Sequence, residues 1–237
     1  MKVAIIRFPG TNCDLDAYHV LKNVLHLPCD LIWHEEVDLQ GYEGVLLPGG
    51  FSYGDHLRGG IIAAHSPAMA QVKKAAEEGK PVLGICNGFQ ILVESDLLPG
   101  ALLRNAGLRF VCKWVKLRVE STNTFFTYGL KKGTLLRMPI AHGEGRYFLT
   151  ESEIGNLERR GQIAFRYVDE KGSPTDDANP NGSLSNIAGV SNEKGNVVGL
   201  MPHPERASEK ILSPFGSSDG LAVLGPFAKV VEVIARK

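Results

Sequence analysis

The stretch Pro81–Glu94, PVLGICNGFQILVE, decides the fold. A short apolar run, Val82 to Ile85, enters Gly84-Ile85-Cys86-Asn87-Gly88, and a segment carrying Phe89, Leu92 and Val93 on one side leaves it. The pattern predicts a strand, a tight turn and a helix. Glycines two positions either side of Cys86 allow a strained turn that holds one side chain clear of the sheet. The Cys86 thiol then stands at a helix start, where unpaired N–H groups and the helix dipole favour thiolate. Alone, G-x-C-x-G also fits a buried cysteine with glycines that merely permit close packing.

Upstream of this elbow, strand and helix patterns alternate. Val3 to Ile6 is a continuous apolar run, as expected of a strand covered on both faces in a parallel sheet. Thr11 or Asn12 is positioned to cap a helix with Asp14 and Asp16 in its first turn and Ala17, Leu21 and Val24 in its apolar stripe. Cys29 to Trp33 and Val45 to Leu47 read as strands, and the polar, glycine-rich Phe51 to Gly60 as a loop. Ser66-Pro67 opens a helix with Met69, Val72 and Ala76 inward, and Gly79 closes it. This order predicts an α/β fold with a largely parallel central sheet and helices on both faces, in which ligands sit at the carboxyl ends of strands. Gly49-Gly50 and Cys86 both fall there.

The second half is strand-rich. Leu108, Phe110, Cys112 and Trp114 alternate, then the pattern slips to Val115, Leu117 and Val119, which predicts a bulge near Trp114. Thr134 to Ile140, Ile163 to Val168, Ile187 to Val190 and Val197 to Met201 are further strands. Lys171 to Ser185, KGSPTDDANPNGSLS, is a loop of turn residues expected to be the most mobile segment. From Asp219 a helix with Leu224, Phe227, Val231 and Ile234 on one face is expected, kinked at Gly225-Pro226.

Composition sets the outer bounds. The 237 residues, 43% hydrophobic, suit one packed domain spanning 1–237. Lys plus Arg and Asp plus Glu balance at 26 each, so no overall field recruits nucleic acid or an anionic membrane. Cys13, Cys29, Cys86 and Cys112 lie far apart without C-x-x-C spacing, which fits a reducing compartment and no metal knuckle or disulfide framework. The N-terminal apolar run is too short for a signal peptide and no stretch reaches membrane-spanning length, so the expected location is cytoplasmic.

A cysteine nucleophile needs a base, and the base needs an orienting group. Of seven histidines, His19, His26 and His65 fall in or beside helices, and His34 and His56 lack a partner pattern. His142, in AHGEGRY, has Glu144 two residues on and competes for the role. His203, in LMPHPER, follows a strand between Pro202 and Pro204, and Glu205 projects to the same side of an extended segment. The Asn87 N–H and the Gly49-Gly50 loop are candidate oxyanion donors.

In chain order, P-G-G, the cysteine elbow and H-P-E resemble the triad-type glutamine amidotransferases. The resemblance implies a flavodoxin-like fold, Cys86 as nucleophile toward the glutamine carboxamide, His203 as proton shuttle and Glu205 as its orienting carboxylate. It further implies Gly50 and Asn87 as the oxyanion hole and Gln90 with Gly49 at the glutamine subsite. LLPGGFSYGDHLRGG, GICNGFQIL, AHGEGRY and PGTNCD are similar to the glutaminase subunits of phosphoribosylformylglycinamidine synthase. That likeness implies a place in purine biosynthesis, with ammonia passing to a synthetase subunit that binds ATP, Mg2+ and formylglycinamide ribonucleotide, and with a small bridging subunit. No phosphate-binding loop or dinucleotide motif occurs in this chain, so no cofactor is expected on it. The loops around Asn12-Cys13, Ser52 to Arg58 and His142 to Arg146 are expected at the site mouth or the partner surface. A glutaminase of another synthetase, a γ-glutamyl hydrolase, a cysteine-elbow redox or chaperone protein and an inactive binding subunit are the alternatives.

Overall fold

The chain's apolar runs assemble into one sheet. In a computed structural model, which describes residues 1–228, nine strands hydrogen-bond in the order β2-β1-β3-β4-β11-β10-β9-β6-β7. The first half of the chain supplies β1 (Val3–Arg7), α1 (Asp14–His19), β2 (Cys29–Trp33), β3 (Gly44–Leu47), α2 (Ile61–Ala64), α3 (Pro67–Glu77), β4 (Val82–Ile85) and α4 (Asn87–Glu94). Then follow β5 (Ala101–Leu103), β6 (Val111–Val119), β7 (Leu135–His142), β8 (Arg146–Phe148), α5 (Glu151–Arg159), β9 (Ile163–Val168), β10 (Ile187–Ser191), β11 (Val197–Leu200) and α6 (Leu221–Leu224). β2, β1, β3, β4 and β11 run parallel, and from β11 outward the sheet continues antiparallel. β5 and β8 form a separate antiparallel pair.

The parallel strands are buried on both faces, as their unbroken apolar runs require; Val3 to Ile6 and Val45 to Leu47 are fully buried. α1 packs on β1 and β2, α3 on β4, and α4 across β3, β4 and β11. Close approach fixes α4: a Cβ on Gly88 would stand 1.9 Å from the Leu47 carbonyl oxygen, and one on Gly199 would stand 2.0 Å from the Phe89 ring.

Several local expectations are revised. Neither Thr11 nor Asn12 caps α1; Cys13 occupies that position without a side-chain cap bond, because the Thr11 hydroxyl instead accepts from the Phe8 N–H at 3.0 Å. The helix continues from Val20 to Val24 as a π-helical turn, with His26 just beyond it at φ +55°. No bulge interrupts β6 at Trp114: β6 pairs with β7 in unbroken register from Val111 to Arg118. The pattern slips because two kinds of surface are read as one. Val115, Leu117 and Val119 face the core, while Leu108 and Phe110 project into solvent and Trp114 packs edge-on against Phe215 on the opposite side.

The polar segment after Lys171 is tied down rather than loose. Asn179 Oδ1 accepts from the N–H groups of Gly182 and Ser183, Asn181 Nδ2 donates to the Gly145 carbonyl at 2.8 Å, and Asn186 Nδ2 donates to the carbonyls of Tyr167 and Thr175. Turn-forming side chains that signal a loop also supply these bonds. Four elements lie outside the sequence expectations: α2, the paired strands β5 and β8, and α5, whose capping box joins Thr150 and Glu153. α6 breaks after Leu224 at the expected Gly225-Pro226 interruption, and residues 226–228 are helical again. Val231 and Ile234 lie outside the described residues.

Candidate active site

The elbow forms as its glycines predict. Cys86 sits at φ +50°, ψ −105° between β4 and α4, a conformation that costs a non-glycine residue about 1–3 kcal/mol. The turn is possible because the chain passes Gly84 and Gly88 without side chains; a Cβ on Gly84 would meet Leu92 and the Gly88 carbonyl at 2.5 and 2.6 Å. The Cys86 N–H donates to Leu200 across the β4–β11 ladder, which locks the cysteine to the strand preceding His203.

That register brings His203 to the edge at which Cys86 leaves β4. β4 and β11 run parallel with Ile85 opposite Leu200, so both chains leave the sheet at the same edge. The His203 N–H donates to the Pro139 carbonyl, and its Nδ1 lies 2.6 Å from Glu205 Oε1. Imidazole and carboxylate are both about 2% exposed. Burial acts against the imidazolium, but the Glu205 carboxylate and the sulfurs of Cys86 and Cys13 outweigh it and raise the His203 pKa well above its ordinary value. His203 Nε2 is buried without a hydrogen-bond partner among the described residues.

Gly49 marks the junction. A Cβ there would lie 2.8 Å from His203 Cε1, 3.1 Å from Cys13 Sγ and 3.4 Å from Cys86 Cβ, so only glycine leaves that space open. Gly50 follows at φ +147°, bridged to Thr11. Asn87 is the first residue of α4, so its N–H has no carbonyl partner within the helix. Its buried side chain accepts from the Ser52 N–H at 3.1 Å and donates to Gln90 Oε1 at 2.8 Å.

Gln90 is placed differently from Cys86, His203 and Glu205. Its Nε2 donates to the Glu144 carbonyl at 2.7 Å, so the amide braces the loop after β7 over α4. Glu144 also accepts from the Gly59 N–H at 3.0 Å, joining the loops expected at the mouth. Asp55 lies in the same cluster, and burial, then the charge of Glu144, pushes its carboxyl up to about 6. On the rim, Phe51 and Phe110 are exposed and meet as a tilted pair with 6.4 Å between ring centroids, with Leu57 and Leu108 also exposed.

His142, the competing base, has a different partner. Its Nδ1 lies 3.1 Å from Asn105 Oδ1, not against a carboxylate, and Glu144 turns away to Gly59 and Arg104. Burial, then the charge of nearby His203, pushes its pKa down to about 4. It is a neutral imidazole at ordinary pH. His34 is buried against Ser66 Oγ at 2.8 Å, and His56 is exposed in the loop.

The sequence places Cys13 only in a loop expected at the site mouth or partner surface, and gives Arg206 no role. Cys13 is buried, with its thiol raised by burial, and Arg206 Nη2 reaches its sulfur at 3.1 Å. The available signal was positional: PGTNCD follows β1, whose carboxyl end borders that of β3.

Residues 1–225 match the CobB/CobQ-like glutamine amidotransferase domain. The subunit PurQ of phosphoribosylformylglycinamidine synthase from Methanosarcina acetivorans is 56% identical over 231 residues, 98% of both chains. That of Aquifex aeolicus is 56% identical over 221 residues, 93% of this chain and 96% of its own. Among solved structures, a chain of PurLQS from Thermotoga maritima is similar at a TM-score of 0.85 and 43% identity, covering 98% of this chain and 99% of that one. The glutaminase domain of Trypanosoma brucei CTPS, with a TM-score of 0.58 and 17% identity over 97% of this chain and 94% of its own, shares the fold. The chain therefore belongs to the glutamine amidotransferase family, in the branch of the phosphoribosylformylglycinamidine synthase subunit PurQ.

Proposed function

We propose that Cys86, His203 and Glu205 are the catalytic triad of this glutaminase subunit of phosphoribosylformylglycinamidine synthase. The observation that carries the reading is the buried 2.6 Å pairing of His203 with Glu205, delivered to the edge where Cys86 leaves the adjacent strand. Cys86 Sγ attacks the carboxamide carbon of glutamine, and the N–H groups of Gly50 and Asn87 stabilise the oxyanion. His203, its charge supported by Glu205, protonates the departing amine. Ammonia leaves and a γ-glutamyl thioester remains on Cys86. His203 then takes a proton from water as it attacks the thioester, and glutamate and free thiol are released. Gly49 keeps space for the acyl group, and Gln90 acts at the glutamine subsite by holding the Glu144 loop.

The ammonia serves a synthetase subunit that converts formylglycinamide ribonucleotide to formylglycinamidine ribonucleotide; ATP and Mg2+ belong to that subunit, and a small bridging subunit completes the assembly. The exposed apolar rim of Phe51, Leu57, Leu108 and Phe110 is the surface we assign to this partner. One domain spanning the chain is the reading that the continuous sheet supports. No described helix is long and apolar enough to cross a membrane, and four free cysteines fit a reducing cytoplasm.

The test is glutamate release from glutamine by wild type and Cys86→Ser, alone and with the partner subunits, ATP and formylglycinamide ribonucleotide. Loss of at least about 10^3-fold on Cys86→Ser is expected, with the wild-type rate rising when partners and nucleotide are present. Glutamate release by Cys86→Ser at the wild-type rate rejects the triad, and a rate indifferent to the partners rejects the pathway.

A further inference from the structure

The motif PGTNCD, residues 9–14, has no step of its own in the reaction, yet it runs as a short backing strand for the Gly49-Gly50 loop. Thr11 and Gly50 form an antiparallel bridge. On either side of it the Phe51 N–H donates to the Gly10 carbonyl at 3.0 Å and the Asn12 N–H to the Gly49 carbonyl at 3.4 Å. The Cys13 N–H donates to the same Gly49 carbonyl at 3.1 Å, and the Tyr53 N–H to the Pro9 carbonyl at 2.6 Å.

Bonds that flank a bridge rather than join its two residues mark the non-hydrogen-bonded kind of antiparallel pair, in which each residue's own N–H and C=O point away from the other strand. The Gly50 N–H is therefore aimed away from Thr11. β3 lies between β1 and β4, so the direction away from the turn after β1 is toward β4, the strand that Cys86 follows. The Gly49 carbonyl agrees. This peptide is trans and its oxygen faces the N–H groups of Asn12 and Cys13, so the Gly50 N–H faces the opposite way.

The two segments meet backbone to backbone. A Cβ on Gly10 would stand 2.2 Å from the Phe51 carbonyl oxygen, and one on Gly50 would stand 2.7 Å from the Asn12 nitrogen. Gly10 also holds φ +85°. The turn is closed at one end by Thr11 Oγ1, which accepts from the Phe8 N–H at 3.0 Å, and at the other by Arg206 Nη2 at 3.1 Å from Cys13 Sγ. We propose that residues 10–13 are a positioning element for the reaction, holding the Gly49-Gly50 peptide in the orientation that presents the Gly50 N–H to the oxyanion. A donor aimed in advance at developing charge stabilises the transition state without reorganising. Released from the turn, the peptide can rotate and turn its carbonyl oxygen toward the same space, where it repels the oxyanion. This inference rests on the proposed triad and oxyanion hole and adds what orients them.

The test measures glutamine hydrolysis by the assembled enzyme, with partner subunits in excess, beside alkylation of Cys86 by iodoacetamide, a displacement at saturated carbon that makes no oxyanion. Gly10→Ala drives a methyl group against the Phe51 carbonyl and is expected to lower kcat by about 10^2-fold with KM for glutamine little changed. Thr11→Val removes the acceptor for the Phe8 N–H while keeping the side-chain shape, and is expected to lower kcat roughly fivefold. In both, the alkylation rate of Cys86, followed on its own peptide, is expected to stay within about twofold of wild type. Gly10→Ala decides while its urea transition stays cooperative, and Thr11→Val decides if it does not. Unchanged kcat in the deciding variant, a kcat loss matched by an equal loss of alkylation, or a rise in KM alone overturns the positioning role. The triad fails on a different result, full activity of Cys86→Ser.

Discussion

The parallel and antiparallel halves of the sheet each deliver a histidine toward the same space, in opposite electrical states. His203 follows the parallel strand β11, is paired with a carboxylate at 2.6 Å and has its pKa raised. His142 ends the antiparallel strand β7, is paired with the Asn105 amide and has its pKa pushed down to about 4. Burial is nearly equal at the two positions, 2% and 3% exposed, so the partner decides. A carboxylate converts a buried imidazole into a proton carrier; an amide leaves it a neutral hydrogen-bonding group.

Exchanging the partner breaks this contrast most severely. Glu205→Gln is expected to lower kcat/KM for glutamine by roughly 10^3-fold, with KM much less affected; a loss under tenfold would mean that His203 needs no carboxylate. Next comes the support beneath the parallel half. Gly88→Ala drives a methyl group into the Leu47 carbonyl and is expected to destabilise the fold by about 3 kcal/mol, read from urea midpoints.

The two histidines also predict opposite pH dependences of stability. His203, with a folded pKa above the ordinary 6.5 or so, contributes stability that is complete below that value and is lost as pH rises through the folded one. His142 is the reverse. Between about 6.5 and 4 the unfolded chain takes up its proton and the folded one does not, so stability falls on acidification. His142→Gln is expected to remove roughly 2 kcal/mol of that acid-side loss. An unchanged difference between urea midpoints at pH 6.5 and 4.5 would remove His142 from the account. The smallest effect lies away from both histidines: Thr150→Ala opens the capping box of α5 and is expected to cost about 1 kcal/mol at unaltered kcat/KM.

The halves also differ in how much their sequence discloses. In the parallel half, strands buried on both faces read as unbroken apolar runs, and glycine spacing about Cys86 announces a turn whose steric demands are local. Legibility fails where a residue's neighbour is distant in sequence. Nothing in LRFVCKW says which apolar side chains face the core, because Leu108 and Phe110 lie beyond the edge that β7 covers. The asparagines of the Lys171 to Ser185 segment signal turns, yet the bond from Asn181 to Gly145 depends on how the sheet folds back. His203 and Glu205 are legible as a pair because only Pro204 separates them, although Pro204–Ala207 forms a 3-10 turn rather than the extended segment expected. The loop of Cys13 is legible as part of the mouth, but its contacts with Arg206 and the His203 ring are not, because these partners are distant in sequence.

The placement of β11 has a consequence for the growing polypeptide. This strand is the last of the sheet to be synthesised, yet it sits between β4 and β10 and joins the two halves. Pairings between residues so far apart in sequence form late, after the costly closure of long loops. A chain emerging from the ribosome therefore carries the elbow cysteine long before its histidine can dock beside it. On the proposed triad, insertion of this central strand both completes the sheet and sets His203 beside Cys86, so a chain cut before β11 is expected to release no glutamate from glutamine.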